Sequence, residues 1–331
     1  MRLDNTKLVT IFGGSGFLGR HVVQAIARTG ARMRIAVRRP DLAQHLQPLG
    51  GVGQIHAVQA NLRYPDSVRH AVEGADVVIN LVGILFESGK QNFNDVQARG
   101  AEAVAKAAKA AGARALVHVS AIGADPDSAA EYARSKAAGE KAVLKAFPGA
   151  VILRPSIVFG PEDDFFNRFA ALARMSPALP LIGGGRTRFQ PVYVGDVARA
   201  VTAVIEGRAK PGAVYELGGP EVASFADLMR TMLRHVTRRR LLVPMPFWIA
   251  RLKARFLQLL PSPMLTVDQV RLLETDNVVS PLAQSQKRTF EGLGIEPQPM
   301  DAILPSYLYR FRPRGEFSDA VKVEQPRGSR P

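Results

Sequence analysis

A glycine loop near the N-terminus constrains this chain more than anything else in it. Ile11-Phe12-Gly13-Gly14-Ser15-Gly16-Phe17-Leu18-Gly19 joins an apolar, β-branched run, Leu8–Phe12, to a helical stretch at residues 19–29. Gly13, Gly16 and Gly19 let the main chain turn sharply, bare it for a pyrophosphate and seat the helix close on the strand. The helix N-terminus then aims free N–H groups and the positive end of its dipole at the phosphates. The loop, with Ser15, Phe17 and Leu18 among its glycines, is the expected phosphate cradle of a dinucleotide.

The end of the second apolar run selects the nucleotide. Residues 33–37 lead straight into Arg38-Arg39, where an NAD site carries a carboxylate for the ribose 2′-hydroxyl. Arginine there suits a 2′-phosphate instead, so NADP(H) is the expected cofactor.

Apolar runs then alternate with alanine-rich stretches. Strands are predicted at Leu8–Phe12, 33–37, Ile55–Gln59, 77–82, 115–120 and 150–153, with helices between them, for example at 98–111. That rhythm predicts an α/β protein with a Rossmann-type, doubly wound parallel sheet. After Arg154 proline and glycine punctuate the chain, which predicts a smaller C-terminal α/β lobe. Residues 1–153 are read as the NADP(H)-binding core and 154–315 as a basic lobe interleaved with it, facing a membrane or another subunit. Residues 316–331 are polar and read as a disordered tail.

Tyr132-Ala133-Arg134-Ser135-Lys136 places a phenol and an ammonium one helical turn apart, on one face. The lysine would bind the nicotinamide ribose and lower the tyrosine pKa from about 10. The tyrosine could then exchange a proton with a substrate oxygen while hydride moves.

Composition closes other routes. There is no cysteine, and the six histidines are never at metal-ligand spacing, so no metal is expected. Residues 1–7 are polar and no apolar run is long enough to cross a bilayer, so neither a signal peptide nor a transmembrane segment is expected. The net charge is +15, and between Asp227 and Asp268 eight Arg and Lys occur without one acid. This favours an acidic partner, such as an anionic membrane surface. Without a recognition-helix motif or an aromatic platform, nucleic acid is not expected. A helix at 246–260 would gather Trp248, Ile249, Leu252, Phe256, Leu259 and Leu260 on one face flanked by Arg251, Arg255 and Lys253. Such a face suits lipid or a neighbouring subunit, or packs as an ordinary core helix. Glu162, Asp163 and Asp164 are read as charges at a helix N-terminus, and Asp196 as the cap of a helix at 197–205.

Residues 7–220 resemble the extended branch of the short-chain dehydrogenase/reductase superfamily. The glycine loop, Tyr132 and Lys136, Arg154-Pro155, and Phe159-Gly160-Pro161 carry the resemblance, with 191–197 and 217–220. It implies cofactor contacts from Asn61, Leu62, Leu81, Val82, Gly83 and Pro155. The sequence departs from that pattern at the end of the fifth strand, Val119-Ser120-Ala121-Ile122. The position of the hydroxyl that polarises the substrate carbonyl is Ala121, and Ser120 stands one residue early. The loss of one such donor costs on the order of 10²–10³ in rate. Gln97 and Asn61 replace an asparagine and an acid of the family pattern.

A narrower resemblance runs from about residue 7 to Arg312. Residues 160–170 and 189–194, Pro244-Met245-Pro246-Phe247-Trp248, Asp268-Gln269-Val270 and Thr275-Asp276-Asn277 are similar to the NADPH-binding accessory subunits of respiratory complex I (NADH:ubiquinone oxidoreductase). The resemblance implies NADPH held structurally, complex I subunits as partners, and a peripheral place on the cytoplasmic face of a bacterial inner membrane. The alternative is an active NADPH-dependent reductase or nucleotide-sugar epimerase/dehydratase using Tyr132, Lys136 and Ser120.

Overall fold

The computed structural model describes residues 1–260 and 263–315. The expected tail, 316–331, lies outside the described residues. In chain order the first half runs β1 (Leu8–Phe12), α1 (Phe17–Ala27), β2 (Arg32–Val37), β3 (Ile55–Gln59), α2 (Pro65–Val72), β4 (Val77–Asn80), α3 (Gly100–Ala110), β5 (Ala115–Val119), α4 (Glu131–Ala146) and β6 (Val151–Pro155). The second half holds β7 (Val158–Phe159), α5 (Phe166–Met175), β8 (Ala178–Ile182), β9 (Arg188–Phe189), β10 (Val192–Tyr193) and α6 (Val194–Ile205). Then come β11 (Val214–Leu217), β12 (Ala223–Ser224), α7 (Phe225–His235), β13 (Leu241–Met245), α8 (Phe247–Leu257), α9 (Val267–Leu272) and short helical turns.

Seven parallel strands form one sheet in the order β11-β6-β5-β4-β1-β2-β3. The strands are short β-branched runs because both faces are covered. On one face Ile11, Ile35, Ile79 and Leu153 meet α1 and α6 through Val23, Ile26 and Val201. On the other, Phe12, Val78, Leu116 and Ile152 meet α2, α3 and α4 through Val68, Val104 and Val143. The seventh strand, β11, comes from the second half and pairs with β6, Leu217 opposite Pro155.

Boundaries differ from expectation for local reasons. β4 stops at Asn80, not at residue 82, because the Asn80 Oδ1 accepts the Val82 N–H (3.1 Å) and turns the chain out of the sheet. The helix expected at 98–111 opens as a π-helical turn, Asn94–Arg99. There α4 comes so close that a Cβ on Gly139 would lie 2.2 Å from the Gln97 carbonyl oxygen. Asp196 is not a cap: α6 begins at Val194, and the buried Asp196 accepts from the Gln298 N–H (2.6 Å) and from Arg199. Asp163, before α5, accepts from the Gly160 and Asn167 N–H groups and from the Tyr307 hydroxyl.

Beyond the sheet, α5 and α7 bury a second core around Phe159, Phe166, Leu179, Phe225 and Met229. β13 pairs with β8 beside it. A small cluster of Ile182, Ala250, Ala254 and Val270 packs α8 on α9.

Candidate functional site

The strand order reverses between β1 and β4, and an open parallel sheet takes its ligand in the crevice above such a point. The glycine loop sits there. Gly13 has φ +79° and Gly19 lies so near that a Cβ would meet the Gly13 oxygen at 2.3 Å, so the fold itself demands both. Gly16 is different. Its φ of −78° suits any residue, and a Cβ would touch only the Gly13 oxygen, at 3.4 Å. Bare main chain at Gly16 serves no internal contact and leaves room for a ligand. Ser15 stands just before it, and Phe17 and Leu18 open α1, whose N-terminus has no side-chain cap and no acid in its first turn. Its N–H groups are free to meet an anion.

Arg38 and Arg39 follow β2 and are exposed. Arg39 pairs with Asp41 at 3.3 Å, whereas Arg38 makes no hydrogen bond or ion pair with a described residue. At the neighbouring strand ends Asn61 is half-buried and accepts from the Arg63 N–H. Leu62 is buried against Gly100. Leu81 and Val82 are half-buried past β4, Val82 against Gly13. Gly83 is exposed, with the Lys136 ammonium 3.1 Å from where its Cβ would lie. Pro155 closes β6, buried, and its carbonyl accepts from Ile122. The structure thus links the glycine loop to the end of β4, and the end of β4 to α4.

Tyr132 and Lys136 lie on one face of α4, the ammonium 5.8 Å from the ring centre. Lys136 is buried, and the acceptor it finds is the Val119 carbonyl at 3.5 Å. Burial pushes Lys136 down to about 8, opposed by Glu140. Burial pushes Tyr132 up to about 12. In this protein Tyr132 stays a protonated phenol at neutral pH.

Among the described residues four buried polar atoms find no partner: the Ser120 hydroxyl, the His118 Nε2, the Gln97 Oε1 and the Arg20 Nε. Gln97 donates to the Ile84 carbonyl (2.7 Å), and His118 meets Asn80 through its Nδ1 (3.2 Å). Burial, with Lys136 nearby, pushes His118 down to about 3, so it is neutral. Orphaned buried polar atoms are costly unless a ligand or water meets them. With the bare Gly16 and the under-satisfied Lys136, they fit a crevice built for a polar ligand such as a dinucleotide. Among the described residues no cluster of metal-ligating side chains occurs.

Sequence reasoning missed the groups that hold α4. The Asp268 carboxylate, on α9, accepts from the Glu131 N–H (2.7 Å) and the Tyr132 N–H (3.0 Å). Glu140 takes two hydrogen bonds from Arg154 (2.9 and 2.6 Å). Asn277 accepts from Ser156 (2.6 Å) and donates to the Ile122 carbonyl (3.1 Å), fastening the second half to the ends of β5 and β6. Only the resemblances, through Arg154, Asp268 and Asn277, pointed to any of these.

A model of the NAD dependent epimerase/dehydratase family matches residues 9–218. The chain belongs to that family. Its sheet and glycine loop are accordingly an NAD(P)-binding domain. One relative is NADH dehydrogenase [ubiquinone] 1 alpha subcomplex subunit 9, mitochondrial, of Arabidopsis thaliana. It is 36% identical over 335 residues, covering 96% of this chain and 82% of the relative. Another is the ceramide reductase of Caulobacter vibrioides, 37% identical over 203 residues, 61% of this chain and 62% of the relative. An NADPH-dependent quinone oxidoreductase from Escherichia coli, solved with NADPH, shares the fold. Its TM-score is 0.69 at 20% identity, covering 91% of this chain and 98% of that one.

Proposed function

We propose that the protein is an NADPH-binding, non-catalytic accessory subunit of complex I that stabilises the junction of the peripheral and membrane arms. The observation that carries this reading is the extent of the likeness: it spans 96% of the chain with a complex I subunit, against 61% with a reductase. NADPH would lie along the glycine loop, its 2′-phosphate on Arg38 and Arg39. Asn61, Leu62, Leu81, Val82 and Gly83 would flank adenine and ribose, and Lys136, Ser120, Tyr132 and Pro155 the nicotinamide end. When bound, the cofactor supplies a hydride. Ala121 offers no hydroxyl to polarise a carbonyl that would receive it.

The lobe 154–315 is the docking part in this reading, and the chain is peripheral on the cytoplasmic face of a bacterial inner membrane. Among the described residues no helix is long and apolar enough to cross a membrane. α8 buries Ala250 and Ala254, while Trp248 (67%), Phe256 (69%) and Leu259 (79%) stand exposed with Arg251, Lys253 and Arg255 around them. A large apolar face of this kind supports contact with a subunit or a lipid surface.

Two observations favour a reductase as the second reading: the unpaired Ser120 hydroxyl beside α4, and the 37% identity to a ceramide reductase. Tyr132→Phe separates the readings. As an accessory subunit, the variant keeps NADPH and complex assembly, and neither protein oxidises NADPH with carbonyl substrates. A measurable NADPH-dependent reduction that falls at least a hundredfold in Tyr132→Phe would establish the enzyme instead.

A further inference from the structure

We propose that a cleft at the C-terminal end of α7 binds a phosphate-bearing anion through Arg238, Arg239 and Arg240. The cleft has a volume of about 560 Å³, and five of its eight lining residues are arginines, Arg230 and Arg234 being the others. A basic surface is ordinarily a solvated one, so the case rests on how these side chains are held.

The helix does not need them. Its last carbonyls are met without them: the Val236 N–H donates to the Met232 carbonyl, the Thr237 N–H to Arg234, the Arg238 N–H to Leu233, and the Arg312 Nε to His235. Thr237 has φ +52°, a left-handed conformation that is strained for a β-branched residue. The strained turn carries the chain from α7 into the arginine run. Arg238 donates from its Nε to the Phe311 carbonyl (2.9 Å), and Arg240 from its Nε to the Ala173 carbonyl (2.7 Å). Each guanidinium is tethered at its inner nitrogen, and the outer nitrogens of Arg238 meet no described residue. The Arg239 side chain has no hydrogen bond or ion pair with a described residue and is exposed.

Charge is unbalanced in the same place. Arg230 pairs with Asp227 (2.6 Å), and Arg234 lies 3.8 Å from Asp301. No described carboxylate pairs with Arg238, Arg239 or Arg240. Arg238 is pushed below its ordinary value by partial burial and by the like charges of Arg240 and Arg174. Anchored guanidinium forks with unspent donors and mutual repulsion match a tetrahedral phosphate, which accepts several charge-assisted hydrogen bonds at once. The source is a soluble phosphate ester or a phospholipid headgroup. β13 follows directly and exposes Leu241 and Val243, which would suit acyl chains beside a headgroup.

The inference is independent of the subunit reading, because it concerns a cleft formed by this chain alone. The test uses the full chain saturated with NADPH, so that the dinucleotide crevice is filled. Pyrophosphate is titrated calorimetrically. In parallel the protein is floated with phosphatidylcholine vesicles made with and without phosphatidylglycerol. Arg239→Glu is the variant, since the Arg239 side chain makes no hydrogen bond or ion pair with a described residue; an unchanged melting temperature shows that it folds. The expected result is pyrophosphate binding weakened about tenfold or more in Arg239→Glu, which assigns soluble phosphates as sufficient ligands. Flotation that needs phosphatidylglycerol and is lost in Arg239→Glu, without pyrophosphate binding, assigns the headgroup. Arg239→Glu binding both probes like the parent protein overturns the proposal, as does equal flotation with and without phosphatidylglycerol in the absence of pyrophosphate binding.

Discussion

In the proposed reading, cofactor choice and cofactor grip rest on Arg38 and Lys136. Arg38 has no partner among the described residues, which leaves its charge for the proposed 2′-phosphate. Arg38→Ala should weaken NADPH about ten- to a hundredfold, the worth of a charge-assisted contact, and leave NADH unchanged; paired fluorescence titrations check this. Lys136, pushed down to about 8, is a charged donor below that pH and loses its charge above it. NADPH affinity should therefore fall severalfold between pH 7 and 9, while Lys136→Met binds weakly at both. A parent protein with the same affinity at both pH values would remove Lys136 from the ribose. Without ligand the sign reverses: the folded value lies below that of free lysine, so burying the charge costs stability at neutral pH, and that cost is relieved from about 8 upward. At this scale the glycine loop and the arginines could be read directly, because their chemistry is local. The raised Tyr132 could not, because burial raises it and burial is a tertiary property.

The elements show where sequence reading stops. The β-branched runs and alanine-rich helices alternate plainly enough to place β1 to β6 within one or two residues. The seventh strand, β11, has four residues and lies among the elements of the second half, so nothing local marks it as an edge of the main sheet. The π-helical turn at Asn94–Arg99 lies where α4 approaches closely, a contact absent from any local pattern. The same holds for α9, a six-residue helix that packs on α8 through Val270 and meets the first N–H groups of α4 with Asp268. Asp268 is a cap delivered from more than a hundred residues away. Asp268→Ala should cost about 1 kcal/mol, as loss of a helix cap does, and reduce the melting-temperature rise that NADPH produces. Scanning calorimetry with and without NADPH reads both. An unchanged ligand-induced rise would make Asp268 a local brace with no bearing on the nucleotide site.

For the whole molecule, two surfaces are joined by short mechanical links. The dinucleotide crevice lies at the strand reversal, and the exposed face of α8 lies in the basic lobe. Asn277 and Asp268 tie that lobe to the ends of β5, β6 and α4. A nucleotide that stiffens α4 would in this arrangement also steady the lobe, which suits a cofactor kept as structure rather than consumed. The net charge of +15 pointed to an acidic partner, but charge alone could not say which; the identity of the neighbours is not written in one chain. The central claim is that this chain is a subunit, and co-migration tests it most directly. The protein is tagged in its native host, membranes are solubilised mildly, and the extract is run on a native gel stained in the same lane for the tag and for NADH:quinone oxidoreductase activity. The account predicts one large band carrying both signals, with NADPH extractable from it. The tag migrating alone and small, in the soluble fraction, with the activity elsewhere, would contradict it.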